Sequence, residues 1–192
     1  MKQQQNYVFK NWAKNVQSQV ANYFQPETEE EIISVVKNHH KIRMVGTGHS
    51  WSGICATNEA LLNLDYYNKI THIDKERKLV TVQAGIKLWQ LNILLDKEGL
   101  ALLNLGSIDQ QSIAGAISTG THGSGIQFQI LGSQMREFSL IKADGSKQII
   151  NKEKDTDLFN ACVVNLGCLG VISEITLQVT DAFTLHDYTT TL

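Results

Sequence analysis

The chain has 192 residues, of which 42% are hydrophobic, and this content is enough for one sizeable core or two small ones. Its formal net charge is −2. This charge balance argues against nucleic acid as a partner, and no run reaches the roughly 18 apolar residues of a membrane span. Three cysteines without CxxC spacing predict reduced thiols in a cytoplasmic protein, with neither a disulfide framework nor a metal site.

Residues 1–76 have the pattern of an α/β unit. Thr28, followed by Glu31 three residues later, is typical of a capping box and predicts a helix that begins there. Residues 41–45 predict a short buried strand that leads into a glycine-rich loop, and residues 60–74 hold two short strand-like pieces. The predicted helix has one apolar face, formed by Ile32, Val35 and Val36.

Residues 77–182 predict a larger sheet with helices packed on it. The alternation of Val80, Val82 and Ala84 with polar neighbours predicts a half-buried strand, and Asp144-Gly145 indicates a hairpin. The remaining segments predict an amphipathic helix over 87–99 that ends at Gly99, a helix over 155–167 and a strand over 171–180. Cys168 is expected to be a small packed residue.

The stretch VGTGHSW, residues 45–51, ends a predicted strand in a Gly-x-Gly loop. Consecutive backbone N–H groups with little steric cover bind anions, and phosphates above all. A tight turn explains the same glycines, so the pattern alone does not decide. No third glycine and helix follow as in a Rossmann fold, and no Gly-Lys-Ser/Thr marks a P-loop. Ser50 beside His49 does not indicate a hydrolase, because the chain has no GxSxG elbow.

Residues 103–125 are dominated by glycine, alanine, serine and threonine. Close packing of helices or strands explains Ala114–Ala116, but not the glycines and hydroxyls that alternate for a further nine residues. A groove lined by backbone, holding a long polar ligand, explains both parts of the segment. Two such segments in one small protein favour a ligand with two phosphates and extended ends.

Three separated motifs, VGTGHS, AGAISTGTHGSG and NLGCLGVISEITLQV, resemble the FAD-binding domain of the vanillyl-alcohol-oxidase (PCMH-type) flavoproteins. Within that superfamily the chain is most similar to the sugar-1,4-lactone oxidases (gulonolactone and arabinonolactone oxidases) and the alditol oxidases, over residues 8–180. The resemblance implies an α+β fold of two α+β subdomains, residues 1–76 and 77–182, with FAD between them. Residues 183–192 would then begin a missing C-terminal cap domain that binds substrate.

The resemblance also implies the residues that contact FAD. His49 would be the covalent attachment site on the flavin methyl group, with His122 as a weaker second candidate. Gly106 would lie by the reactive edge of the flavin and leave room for O2, whereas Trp51 is explained better as a core residue than as a flavin cover. The expected contacts are Val45, Gly46, Thr47, Gly48, His49, Ser50, Trp51, Gly106, Ser107, Ser112, Gly115, Thr119, Gly120, Thr121, His122, Val171 and Ile172.

The function that the resemblance implies is an FAD-dependent oxidase. A CH–OH group of a sugar lactone or polyol would be oxidised with O2 as acceptor, giving hydrogen peroxide. The catalytic acid and base would lie in the cap domain, so this chain alone should turn over little substrate. Two alternatives remain open: a flavin-binding module without chemistry of its own, and a dehydrogenase that holds FAD without a covalent link and passes electrons to a cytochrome or quinone.

Overall fold

The structure is a computed structural model that describes residues 1–186 and 188. The four α-helices of this part are α1 (Glu29–Asn38), α2 (Leu88–Lys97), α3 (Ile113–Ser118) and α4 (Thr156–Cys162). The strands are β1 (Lys2–Lys10), β2 (Gln17–Gln25), β3 (Ile42–Val45), β4 (Ala60–Asn63), β5 (Ile70–Asp74), β6 (Leu79–Gln83), β7 (Leu100–Ala101), β8 (Met135–Ile141), β9 (Lys147–Asn151), β10 (Val171–Gln178) and β11 (Thr180–Asp181).

The strands form two main sheets. The first has four strands in the order β1-β2-β4-β3, in which β1 and β2 are antiparallel whereas β4 runs parallel to both β2 and β3. The second is antiparallel and has the order β5-β6-β10-β8-β9. A small ribbon joins β7 and β11. The predicted α+β class is confirmed, because sheets and helices follow one another without a regular β-α-β alternation.

Local signals account for the elements that the sequence predicted. Thr28 caps α1, its hydroxyl accepting from the amide of Glu31 at 3.3 Å, and the predicted apolar face of this helix is buried. The alternation along β6 places Val80, Val82 and Ala84 inside, each 0% exposed. Gly145 adopts a φ of +77° in the turn between β8 and β9, a conformation that glycine adopts without strain.

Three features were not predicted: the hairpin of β1 and β2, the short strand β7 and helix α3. The hairpin of β1 and β2 fills residues 2–25, although its first strand is rich in glutamine and has little apolar alternation; the pairing of the two strands holds it. Helix α3 lies inside the small-residue segment, where Ser112 caps it by accepting from the amide of Gly115 at 3.3 Å. Cys168 was expected to be packed, which is wrong: it is exposed, in a loop that leaves its side chain in solvent.

One hydrophobic core spans both sheets. It includes Phe24 and Leu62 of the first sheet, Ile32 of α1, and Val80 and Ile175 of the second sheet. Since the sheets share this core, their relative position is fixed by apolar burial rather than by a few polar contacts. A smaller cluster of residues from the first sheet contains Phe9, Val20, Val45 and Leu61.

The predicted division into subdomains at residue 76 stays a prediction. Strand β5, Ile70–Asp74, belongs to the second sheet, although that boundary would assign it to the first subdomain. Half of the predicted start of a cap domain, at residues 183–192, lies outside the described residues. In the part of the chain that the structure covers, no helix has the length and apolar character needed to cross a membrane, and no group of three potential metal ligands occurs there.

Candidate functional site

A cleft of about 780 Å³, counting space open to solvent, lies where the two sheets meet. The end of β3, the segments after β4 and β6, helix α3 and the loop before β10 all contribute to its walls. The lining residues are Arg43, Met44, Val45, Gly46, Ile54, Cys55, Leu64, Asp65, Ala84, Gly85, Ser112, Ala114, Gly115, Ser118, Thr119, Asn165, Leu166, Gly167, Gly170 and Ile172.

The two glycine-rich segments meet at this cleft. A Cβ atom added at Gly46 would lie 2.3 Å from the Oγ atom of Ser112, so the first loop comes close to the start of α3, and a larger residue at position 46 would require the Ser112 side chain to move. Ser112 also forms a β-bridge with Lys87, just before α2. Segments about sixty positions apart in sequence are therefore brought into direct contact.

Asn63, at the end of β4, holds the carbonyl groups at the start of the first loop. Its side chain is 3% exposed, and its Nδ2 atom donates to the carbonyls of Val45 and Gly46 at 3.2 and 3.0 Å. Its Oδ1 atom accepts from the amide of Asp65 at 2.9 Å. The parallel pairing of β3 with β4 puts Asn63 opposite Val45, which brings the carboxamide to the place where the strand ends.

The loop amides are left free by this arrangement. Among the described residues, no hydrogen bond occupies the backbone N–H groups of Thr47, Gly48, His49 and Ser50. Consecutive unpaired amides form a site that favours anions. The loop therefore has the donors that a phosphate or pyrophosphate group requires.

The imidazole of His49 lies in this loop with its Nδ1 atom 2.7 Å from the hydroxyl oxygen of Thr47. Partial burial lowers the pKa of His49, and the positive charge of Lys87 lowers it further. Lys87 itself forms an ion pair with Asp65, a residue of the cleft wall. A lowered pKa favours the neutral imidazole, the form that can act as a nucleophile or hydrogen-bond acceptor.

The loop before β10 is strained at two residues, of which Leu166 lines the cleft. Val164 and Leu166 have φ values of +59° and +55°, which cost a residue with a side chain about 1–2 kcal/mol each. The amide of Leu166 donates to the carbonyl of Ser118 at 3.1 Å, and buried Asn165 accepts from the amide of Gly167 at 2.6 Å. Strain that the surroundings maintain in this way is common at ligand sites.

Of the residues expected to contact FAD, six line the cleft: Val45, Gly46, Ser112, Gly115, Thr119 and Ile172. The rest lie outside the lining, and their contacts stay predictions: Thr47, Gly48, His49, Ser50, Trp51, Gly106, Ser107, Gly120, Thr121, His122 and Val171. The interpretation of Trp51 as a core residue is wrong. Its side chain is 68% exposed, because the loop that carries it runs over the surface.

Several cleft residues were missed by the sequence analysis, among them Arg43, Cys55, Asp65 and Gly85. Gly85 follows β6, and a Cβ atom there would lie 1.7 Å from the carbonyl oxygen of Leu64. The dipeptide Ala84-Gly85 at the end of an alternating strand was the one available signal, since an isolated glycine there often marks a close backbone approach.

The residues present fit an elongated dinucleotide. Unpaired amides lie in the loop after β3, a capped helix start adjoins them at Ser112, and glycines at positions 46, 85 and 170 leave no room for side chains. A cleft built from backbone and small side chains accommodates a long polar ligand along its length. Apolar lining atoms from Ile54, Leu64 and Ile172 suit a flat aromatic ring.

Comparison with known proteins agrees with this geometry. Residues 20–150 match the family described as FAD binding domain. The chain is 39% identical to D-arabinono-1,4-lactone oxidase of Eremothecium gossypii, over 94% of this chain and 36% of that protein. It is 40% identical to L-gulonolactone oxidase of Mus musculus, over 92% of this chain and 41% of that protein. The chain thus spans about two fifths or less of the curated relatives it matches.

Solved structures share the fold. Cholesterol oxidase from Brevibacterium sterolicum superimposes with a TM-score of 0.84 at 19% identity, over 94% of this chain and 37% of that one. An alkyldihydroxyacetonephosphate synthase gives a TM-score of 0.78, also at 19% identity, over 88% and 33% of the two chains. At this level of identity the likeness concerns the fold alone.

Proposed function

Because this chain belongs to the family of FAD binding domains, whose cofactor is FAD, we propose that it is the cofactor-binding part of a sugar-lactone oxidase. The substrate would be a sugar 1,4-lactone or a related polyol, as the names of the relatives suggest, and O2 would be the acceptor. The observation that carries the proposal is the cleft itself, where Gly46 closely approaches the capped helix start at Ser112 and is followed by the loop with unpaired amides. The unpaired cysteines support a cytoplasmic location.

Each part of the cleft would have a separate task. The amides of Thr47–Ser50, which lie outside the cleft lining and directly follow Gly46, would hold the pyrophosphate. Ser112 and Thr119 would provide hydroxyl groups along the cleft wall, and Ile172 would exclude water from the ring. When bound, FAD would take a hydride equivalent from a substrate CH–OH carbon, leaving a carbonyl, and would pass both electrons to O2 to give hydrogen peroxide. The residues that bind the lactone would lie outside this chain.

Covalent attachment at His49 is the first prediction. The chain purified with FAD should stay yellow after acid precipitation, and the tryptic peptide Met44–Lys69 should be heavier by one FAD in a mass spectrum. His49→Ala should bind FAD yet release all of it in acid, because the neutral imidazole is the attaching group. His122→Ala is the matched control and should keep the label. A label that survives in His49→Ala would contradict the assignment.

Gly106 supports the choice of O2 as acceptor, and it gives the second prediction. A Cβ atom there would lie 3.1 Å from Cγ2 of Thr121 and 3.4 Å from the carbonyl oxygen of His122, so alanine should fit with small shifts. If the position adjoins the reactive edge of the flavin, Gly106→Ala should slow the reoxidation of photoreduced flavin by O2 about tenfold, or about 1.4 kcal/mol of barrier. Stopped-flow absorbance measures this rate.

The control for Gly106→Ala is Gly53→Ala, where an added methyl group has open space around it. It should leave the reoxidation rate unchanged. Equal rates in both variants would remove the argument for O2. The same reduced protein mixed with cytochrome c or a quinone tests the dehydrogenase alternative, and faster transfer to either of them than to O2 would favour it. Transfer to none of the three would favour a binding module without chemistry.

A further inference from the structure

The turn between β1 and β2, residues 11–15, donates three hydrogen bonds to the loop that carries His49. The amide of Trp12 donates to the carbonyl of Gly48 at 2.8 Å. The side chain of Asn11 donates to the carbonyl of Ser50 at 2.9 Å, and that of Asn15 donates to the carbonyl of Trp51 at 3.0 Å. Three loop carbonyls on both sides of the histidine are thus fixed by one turn.

Asn11 makes the turn rigid. Its side chain is 4% exposed, its Nδ2 atom also donates to Oδ1 of Asn15 at 2.7 Å, and its Oδ1 atom accepts from the amide of Val16 at 3.0 Å. A buried carboxamide with every partner satisfied specifies one arrangement of the groups around it. The turn therefore holds Trp12 in a defined position.

The indole of Trp12 stacks on the imidazole of His49. The ring centroids are 5.5 Å apart and the planes differ by 22°. Thr47 engages the edge of the same imidazole at Nδ1, so the ring is held on one face and on one edge. Trp12 is 62% exposed, which means that the hydrophobic core does not depend on it.

We propose that Trp12 is a positioning residue, which fixes the orientation of the His49 imidazole toward the cofactor; the proposal rests on the function proposed above. An imidazole that must meet one carbon atom of a bound ligand benefits from a fixed orientation, because small misplacements of a reacting group are costly. The indole also shields the ring from water, and Lys87 is the charged group that acts on it.

The first test needs no cofactor. In the 192-residue protein, the imidazole protons of His49 are followed by NMR through a pH titration, with His49→Ala to assign them. Trp12→Ala should abolish the ring-current shift of these protons and raise the pKa of His49 toward its ordinary value, since burial is the main cause of its depression. Trp12→Phe should restore most of both effects.

Trp51→Ala is the matched control. Trp51 is similarly exposed, at 68%, and its ring is tilted 57° from that of Trp12 at 6.5 Å. The Trp51→Ala substitution should leave the His49 signals unchanged. If Trp12→Ala leaves the shift and the pKa as in the parent, or if Trp51→Ala changes them equally, the positioning role is overturned.

The second test uses FAD. Trp12→Ala should reduce the acid-stable flavin fraction roughly tenfold, while the affinity for FAD before attachment stays within about threefold because the amides of the loop remain. If the parent protein itself holds no acid-stable flavin, the covalent link fails as a proposal, and the NMR result still decides the role of Trp12. Equal acid-stable fractions in the parent and Trp12→Ala would overturn the positioning role.

Discussion

Gly85→Ala is expected to destabilise the protein by about 3 kcal/mol, the upper end of the usual cost of overpacking, because the opposing atoms belong to the backbone. The added Cβ atom would lie 1.7 Å from the carbonyl oxygen of Leu64 and 2.6 Å from that of Tyr67. Both are backbone atoms, and the amide of Gly85 already donates to the carbonyl of Tyr67 at 3.0 Å. No rotamer change relieves the clash, so the chain itself must shift.

The shift would reach the cleft because Gly85 joins its walls. Next to it, the amide of Ala84 donates to Ser173 at 2.9 Å and its carbonyl accepts from the amide of Ala114 at 3.2 Å. The segment thereby connects β10 with the start of α3. Gly85→Ala should therefore lose FAD binding at temperatures at which it is still folded.

Thermal unfolding and FAD titration measure the two effects. A loss of about 3 kcal/mol corresponds to a fall in Tm of roughly 6–12 °C for a domain of this size. Gly53→Ala is the control, because a Cβ atom added at Gly53 has no neighbouring heavy atom within 4 Å. The Tm of this variant should stay within about 2 °C of the parent's. A Gly85→Ala protein with the parent's Tm and affinity would show that the approach to Leu64 is not tight.

Local signals made much of the fold predictable. The capping box at Thr28, the alternation along Val80, Val82 and Ala84, and the Asp144-Gly145 turn each specify an element through neighbours within a few positions. Strand β1 lacks such a signal, because a glutamine-rich segment becomes a strand through its partner. Pairing between distant segments is not visible in a single sequence.

The candidate site shows the same limit. Gly46 was predictable because the loop after β3 contains several unusual residues at once. Gly85 and Asn63 were not, because their roles arise from contacts with Leu64 and Gly46 that depend on the finished sheets. The resemblance to flavoproteins identified the ligand, whereas the structure identified the side chains that hold the loop in place.

Asn63 fixes the start of the first loop through its side-chain hydrogen bonds. Asn63→Leu keeps a similar side-chain volume but removes hydrogen bonds to the carbonyls of Val45 and Gly46 and to the amide of Asp65. Leaving such groups unsatisfied costs about 1–3 kcal/mol each when they are buried. We expect a destabilisation of about 3 kcal/mol and a loss of FAD affinity of more than roughly tenfold, because the peptide planes of the loop are free to turn.

Asn63→Asp separates the hydrogen bonds from the packing. At neutral pH its carboxylate would face the two carbonyl oxygens that Nδ2 now contacts, at 3.2 and 3.0 Å, so repulsion replaces donation and the variant should be at least as unstable as Asn63→Leu. Burial and the two facing carbonyl oxygens raise the pKa of this carboxyl above its ordinary value, and once protonated it can donate to one carbonyl again. Its stability relative to the parent should therefore recover as the pH falls, whereas that of Asn63→Leu should not.

Denaturant unfolding at several pH values measures this difference, with Asn58→Asp as the matched control. Asn58 is exposed and its Oδ1 atom accepts from Lys41 at 3.3 Å, a contact that aspartate keeps, so the change should stay within about 0.5 kcal/mol. Parallel pH profiles for Asn63→Asp and Asn63→Leu would mean that Asn63 acts through its shape. Recovery at low pH in Asn63→Asp alone would mean that the amide nitrogen orients the loop, and with it the free N–H groups that bind the cofactor.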